Sequence, residues 1–427
     1  MVRVEQGDML EVLGRMVAEG VQVSSVVTDP PYHLTANKKG GSGEASVNLE
    51  SPYGRSRITT GFMGQKWDGG DIAFRPGTWR LCYDLLPPGG HLLAFNSTRT
   101  FHRMVTAIEE AGFEIRDTIA WMYGQGFPKS LNVSKAIDRH HGDTRPVIGR
   151  ERVTNDIRGG ALLDCAHDGL RPAFERDITS AASAASAAWD GWGTALKPAM
   201  ELICVARKPL DGTVAANVLR HGTGALNIDG CRVPVSDVAY AKNASGDRGH
   251  AVNRKREMEF AMTAGHAHEA GRHPANIVHD GSAAVIEAFP MQQSGGTPPS
   301  RPRDKTRHTY GAFGGQENPN GIGSTAGSAA RFFYTAKADA DDRLGSKHPT
   351  VKPVDLMRWL VRLVTPPGGT VLDPFAGSGT TGMACLAEGL DCILVEREAE
   401  YVADIRRRIA HVSGTDTPLF SQPTEPA

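Results

Sequence analysis

No run of about 20 apolar residues, the length a membrane-spanning helix needs, occurs in the 427-residue chain. The N-terminus, MVRVEQGDML, has no apolar leader core and starts like a strand, so a cytoplasmic location is expected. Net charge is almost absent: 47 Lys and Arg against 48 Asp and Glu leave −1. That excludes a strongly basic nucleic-acid coat but not a local basic face. Cys-x-x-Cys spacing is missing as well. The six cysteines (Cys82, Cys165, Cys204, Cys231, Cys385, Cys392) read as reduced thiols with no zinc site. His266, His268, His273 and His279 lie among Gly, Ala and Pro without paired-ligand spacing, so no metal is expected. Charged residues are 22% and hydrophobic ones 40%, ordinary globular usage that excludes a wholly disordered chain. Gly (49) and Pro (26) run above the usual level, which predicts long loops.

What is present has the grammar of a parallel sheet. Val21 to Thr28 and His91 to Asn96 are short, continuous apolar runs of the kind that suits strands buried on both faces. Phe101 to Ala111 has helical spacing and stops at Gly112; Phe113 to Tyr123 and Glu201 to Arg207 read as strands. Towards the C-terminus, Val354 to Val364 is an amphipathic helix closed by Pro366 and Pro367. It is followed by strand Thr370 to Leu372, a glycine-rich loop, a helix to Glu388 and strand Cys392 to Val395. Strands alternating with helices predict an α/β fold with a doubly wound, mostly parallel sheet. Two stretches break the pattern. Residues 142–195 are irregular and include the low-complexity run Ser180 to Ala188; residues 208–345 are rich in Gly, Asn, His and Arg. Between 197 and 256, ten Lys and Arg stand against five Asp and Glu, a net of +5. The tail 413–427 reads as disordered.

Two loops carry chemistry. Asp373-Pro374-Phe375-Ala376-Gly377-Ser378-Gly379-Thr380-Thr381 joins a strand to a helix, where backbone can approach a ligand and helix N–H groups point at its anionic part. No Lys follows Gly379, which disfavours a nucleotide-hydrolysing loop. Glu396 ends the next strand, where a carboxylate can accept both hydroxyls of a ribose. Asp373 is a second carboxylate, suited to a ligand ammonium. A ribose, an ammonium and a carboxylate describe S-adenosylmethionine better than a dinucleotide. The other loop, Asp29-Pro30-Pro31-Tyr32, follows a strand directly. Its prolines hold the backbone extended and remove two N–H donors. A carboxylate, a carbonyl and an aromatic ring together suit a planar group bearing an NH₂, such as a nucleobase.

With these residues the chain resembles the amino-methyltransferases of DNA, which methylate adenine N6 or cytosine N4. Thr28 to Tyr32 is similar to the catalytic motif of that family and Leu372 to Thr381 to its cofactor motif. The catalytic motif comes first, as in the permuted beta class. His348 to Pro353 resembles the element before the cofactor motif, and Gly7-Asp8 the turn whose Asp contacts the cofactor adenine. Gly61 to Gly64, Trp67-Asp68 and Trp192 to Ala199 look like blocks of bacterial and phage members; Met200-Glu201 stands where an aromatic-Glu pair is commoner.

The resemblance implies a Rossmann-like methyltransferase sheet split between the two ends of the chain. Residues 1–141 would form the catalytic half, 142–195 an irregular insertion, 196–207 a sheet strand, 208–345 the target-recognition region and 346–412 the cofactor half. It implies Asp29, Pro30, Pro31 and Tyr32 as catalytic residues. It implies Asp8, Lys352, Asp373, Phe375, Gly377, Ser378, Gly379, Thr380, Thr381 and Glu396 as the S-adenosylmethionine site, with no metal. The expected substrate is double-stranded DNA with a flipped base, methylated at adenine N6. Cytosine N4 is the alternative, since Ser often replaces the motif Asp there, and a non-catalytic binding module on the same fold is a third reading. A cognate restriction endonuclease and a second copy of the chain are candidate partners. Arg232, Arg248, Arg254, Lys255, Arg256, Arg301, Arg303, Lys305 and Arg307 are candidates for DNA contact, with Lys38 and Lys39 for phosphate.

Overall fold

The computed structural model describes residues 1–34, 71–124, 126, 130–153, 174–234, 271–294, 325–336, 342–346, 348 and 350–413. In chain order its strands are β1 (Val2–Gln6), β2 (Ser25–Thr28), β3 (His91–Ser97), β4 (Glu114–Met122), β5 (Val147–Val153) and β6 (Phe174–Thr179). Then come β7 (Met200–Arg207), β8 (Ile277–His279), β9 (Met291–Ser294), β10 (Thr325–Ser328), β11 (Tyr334–Thr335), β12 (Thr370–Asp373) and β13 (Asp391–Glu396). Nine of them form one sheet in the order β1-β13-β12-β2-β3-β7-β4-β8-β11. Within it β7 alone runs antiparallel to its neighbours β3 and β4; the other pairings are parallel. This is the doubly wound, mostly parallel α/β architecture expected.

Alternation along the strands feeds two cores. Val27, Leu93, Phe95, Ile203 and Val205 pack on one face with Trp359, Leu360, Ile405 and Ile409 from the helices Val354–Val364 and Ala399–Val412. Val26, Leu92, Ala94, Cys204 and Leu372 face the other way, onto the helices Met9–Ala18, Pro76–Leu85 and Phe101–Glu110. Both faces are covered, which is why β2 and most of β3 read as unbroken apolar runs.

The sheet reverses direction of winding between β12 and β2. From β12 the chain crosses to β13 on one side; from β2 it crosses to β3 on the other. Ligands in open α/β sheets bind outside the carboxyl ends of the strands at such a switch point. There β12 ends in the glycine-rich loop and β2 in Asp29, 344 residues earlier in sequence.

Three differences from the sequence reading have local causes. β2 starts at Ser25, not Val21, because the Val21 amide bonds Met16 O and the Val23 amide bonds Leu85 O, outside the ladder. The 142–195 insertion is not irregular throughout: β5 and β6 pair as an antiparallel hairpin, and Ala184–Ala187 within the low-complexity run is a short helix capped by Ser183. Nor does 208–345 stand apart from the sheet, since β8 and β11 extend it beyond β4. Lys38, Lys39, Gly61 to Gly64, Trp67-Asp68 and Cys165 lie outside the described residues, as do His266, His268, every named basic candidate except Arg232, and 414–427.

Candidate active site

A cavity of about 1660 Å³ opens at the switch point. Single-ligand pockets span roughly 300–1,000 Å³, so this one has room for two ligands side by side. Its walls include Asp8, Asp29 to Tyr32, Lys352, Glu201, Asp373 to Ser378, Thr380, Thr381 and Glu396. The two motifs are joined directly: Thr28 Oγ1 donates to Asp373 Oδ1 at 2.6 Å.

The glycine-rich loop is held from within. Asp373 Oδ1 also accepts from the Phe375 amide at 3.1 Å, and Oδ2 accepts from Thr381 Oγ1. The carboxylate expected to meet a ligand ammonium is 2% exposed and organises the loop with three hydrogen bonds. Burial raises its pKa to about 6 despite those bonds. Gly377 and Gly379 adopt φ of +53° and +77°, and a Cβ at Gly379 would sit 2.9 Å from Ile405 Cγ1. Only glycine takes that turn without strain. Glu396, at the end of β13, accepts from the Gly377 amide at 2.8 Å and the Glu398 amide at 2.9 Å. Its pKa is raised, chiefly by burial. Asp8 caps the helix Met9–Ala18 by accepting from the Leu10 amide at 2.9 Å.

Sequence reasoning missed the buried Arg408. Its guanidinium bonds Ser378 O and Asp342 O and lies 3.3 Å from Thr380 Oγ1, bracing the loop from the helix Ala399–Val412. The side chains of Thr380 and Thr381 thus meet protein partners. His348 packs edge-on against Tyr401 beside Gly377; burial lowers its pKa to about 4.

On the Asp-Pro-Pro-Tyr side, Lys352 changes place relative to expectation. Its Nζ lies 2.7 Å from Asp29 Oδ2, 3.0 Å from Glu201 Oε2 and 3.1 Å from Tyr32 OH. The ammonium therefore belongs with the Asp29 group, in the cavity that the glycine-rich loop also lines. Burial opposes its charge, but Asp29 and Glu201 together hold its pKa well above the ordinary lysine range. Tyr32 OH donates to Glu201 Oε2 at 2.8 Å. Burial and the two carboxylates push the phenol pKa far up, so it stays a neutral donor. Asp29 Oδ1 is buried without a hydrogen-bond partner. Glu201, at the start of β7, is the Glu of the Met200-Glu201 pair, in which only Met200 departs from the aromatic-Glu pattern. His33, directly after the motif, has φ +53° and is buried, with Nε2 accepting from the Ala73 amide at 3.2 Å.

Among the described residues five cysteines are free thiols, no group of three or more His, Cys, Asp or Glu could hold a metal, and no helix is long and apolar enough to cross a membrane. Arg232 is tied to Asp229 at 2.8 Å and to Gly271 O at 3.2 Å, a structural engagement.

Parts of this chain resemble known proteins. The chain is 38% identical over 68 residues to the type II methyltransferase M2.DpnII of Streptococcus pneumoniae, covering 16% of this chain and 25% of that protein. It is 44% identical over 62 residues to the DNA adenine methyltransferase YhdJ of Escherichia coli, covering 14% and 21%. The matched segments thus span about a quarter of these relatives' length. A solved structure, the M1.HpyAVI-SAM complex, aligns over 96% of this chain and 99% of that one at 14% identity and a TM-score of 0.40. A family model described as DNA methylase (N6_N4_Mtase) matches residues 23–140 and 300–407, just over half of the sequence. The chain belongs to this DNA methylase family.

Proposed function

We propose that the protein transfers a methyl group from S-adenosylmethionine to N6 of a flipped adenine in double-stranded DNA. The observation that carries this reading is Asp29 Oδ1. It is buried with no partner while Lys352 holds Oδ2. An unsatisfied buried acceptor costs about 1–3 kcal/mol, which an incoming N–H donor would recover. Support for adenine comes from Asp, rather than Ser, at position 29 and from the adenine specificity in the name of the YhdJ relative.

Bound S-adenosylmethionine would supply a methyl group made electrophilic by the attached sulfonium. Glu396 at the tip of β13 suits its ribose hydroxyls, and the loop Asp373 to Thr381 with Asp8 suits the rest. The chain's own contribution to the chemistry is positional. Asp29 Oδ1 and the Pro30 carbonyl would accept the two N–H groups of the target amine, favouring a tetrahedral nitrogen and a localised lone pair. Tyr32 offers its ring for stacking, worth about 1–3 kcal/mol per base against the few kcal/mol that flipping costs. Positioning and preorganised charge carry the rate, with no covalent enzyme intermediate.

The test is direct. Purified protein incubated with duplex DNA and S-adenosylmethionine should yield N6-methyladenine after digestion to nucleosides and mass spectrometry. N4-methylcytosine as the main product overturns the base assignment, and an absence of methyl transfer overturns the activity. Asp29→Ala should lose at least about 10²-fold in turnover while still binding S-adenosylmethionine.

A further inference from the structure

We propose that Glu201 is a positioning residue for methyl transfer: by sharing the Lys352 ammonium it leaves the Asp29 side of the cavity with one net negative charge. The inference rests on the methyltransferase reading above. Lys352, Asp29 and Glu201 are 9%, 22% and 19% exposed at their side chains, so solvent screens them little. The ammonium has three protons and three acceptors around it: Asp29 Oδ2 at 2.7 Å, Glu201 Oε2 at 3.0 Å and Tyr32 OH at 3.1 Å. Two carboxylates and one ammonium leave a single negative charge. Without Glu201, Lys352 would neutralise Asp29 completely and weaken it as an acceptor for the target amine. Glu201 also accepts from Tyr32 OH at 2.8 Å, fixing the phenol beside the Asp29 group.

The reaction explains why a surplus negative charge belongs there. The amine lone pair forms the N–C bond while the electron pair of the breaking C–S bond stays on sulfur. Positive charge therefore passes from sulfur to nitrogen, and the surplus nitrogen proton then leaves through Asp29 Oδ1 to solvent. A cluster of charge −1 next to the nitrogen stabilises the later cation more than the earlier one, which is the differential binding that accelerates a step.

Glu201→Gln separates this role from a structural one, because the amide keeps the shape and can still accept from Tyr32. Turnover on duplex DNA and the Kd for S-adenosylmethionine would be measured for the wild type, Glu201→Gln, and Glu201→Gln combined with Lys352→Met. Glu201→Gln is expected to lose at least about 10-fold in kcat with the Kd unchanged within about threefold. Adding Lys352→Met restores the net −1, so the double variant should turn over faster than Glu201→Gln alone. The proposal is overturned if Glu201→Gln keeps kcat within about threefold of wild type, if its loss lies in cofactor affinity, or if the double variant is slower than Glu201→Gln. A wild type that methylates no DNA would instead refute the reading beneath the proposal.

Discussion

At Glu396 two backbone amides already occupy one lone pair on each carboxylate oxygen, Gly377 N on Oε2 and Glu398 N on Oε1. A ribose would use the remaining lone pairs. Glu396→Gln replaces one acceptor with an NH₂ that faces an N–H donor, so both the loop contact and a ligand bond suffer. Bonds to a charged acceptor are worth about 1.5–3 kcal/mol each, and calorimetric titration should show S-adenosylmethionine affinity reduced by roughly 10- to 100-fold. An unchanged Kd would remove Glu396 from the ribose role. Asp29, Tyr32 and Asp373 were legible as candidates because each sits in a short contiguous motif with its own chemical logic, and Glu396 because it is the acidic residue that ends the next strand. The grouping of Lys352 with Asp29, and any part for Glu201, were not. Their contacts to Tyr32 span 320 and 169 residues, and no local spacing encodes a contact across that distance. Arg408 escaped notice for a similar reason: on a surface-type amphipathic helix a buried arginine looks like any solvated one.

At the scale of elements, the helix Val354–Val364 was readable to the residue because prolines stand on both sides of a clean apolar stripe. The loop before the helix Thr380–Ala387 makes a sharper demand. Gly379→Ala would force a side chain into left-handed backbone, at about 1–2 kcal/mol, and press a methyl against Ile405. Thermal melts should fall by several degrees, and a melt unchanged from wild type would mean the loop relaxes freely. The same sheet sets an acid limit. Burial lowers the pKa of His91 to about 4, with Arg207 and Arg116 adding to the effect; His348 is likewise lowered to about 4. The unfolded chain then binds protons that the native state refuses, so this stability is present above pH about 6.5 and lost as pH falls towards 4. Asp373 acts in the opposite sense. Its raised pKa, about 6, lets the native state keep a proton that the unfolded chain sheds, so acidification towards 4 favours folding there. Glu396, whose pKa burial also raises, acts in the same sense as Asp373, so the two histidines oppose two carboxyls. The histidine part is isolated by His91→Gln, which should lose less stability than the wild type between pH 6.5 and 4 in melts taken across the range. An identical pH dependence in the variant would exclude His91 as a source.

For the whole molecule, the strands β8 and β11 decide what can be removed. They are three and two residues long, too short for any periodicity to announce, and they lie inside the stretch read from composition as a recognition region. Yet Val278 and Ala336 are fully buried in the core, Cys231 is 1% exposed, and the Trp359 indole donates to Cys231 O at 3.2 Å. Excising 208–345 as a block should therefore uncover β4 and abolish cooperative folding, seen as loss of a sharp melting transition by circular dichroism. A deletion variant that melts like the wild type would show that these strands are dispensable. Recognition has to be tested by substitution instead. Arg248, Arg254, Lys255, Arg256, Arg301, Arg303, Lys305 and Arg307 can each be replaced by Ala, with Arg232→Ala for comparison, since that side chain is tied to Asp229 and the Gly271 carbonyl. Loss of a phosphate contact should weaken binding on every sequence and lower the salt slope by about one. Loss of a base contact should relax one position of the methylated site by about 1–3 kcal/mol, with the salt slope nearly kept. Methylome sequencing and salt titrations separate the two outcomes. If every variant keeps the parent site and slope, recognition does not reside in 208–345, and the hairpin of β5 and β6 becomes the element to substitute next.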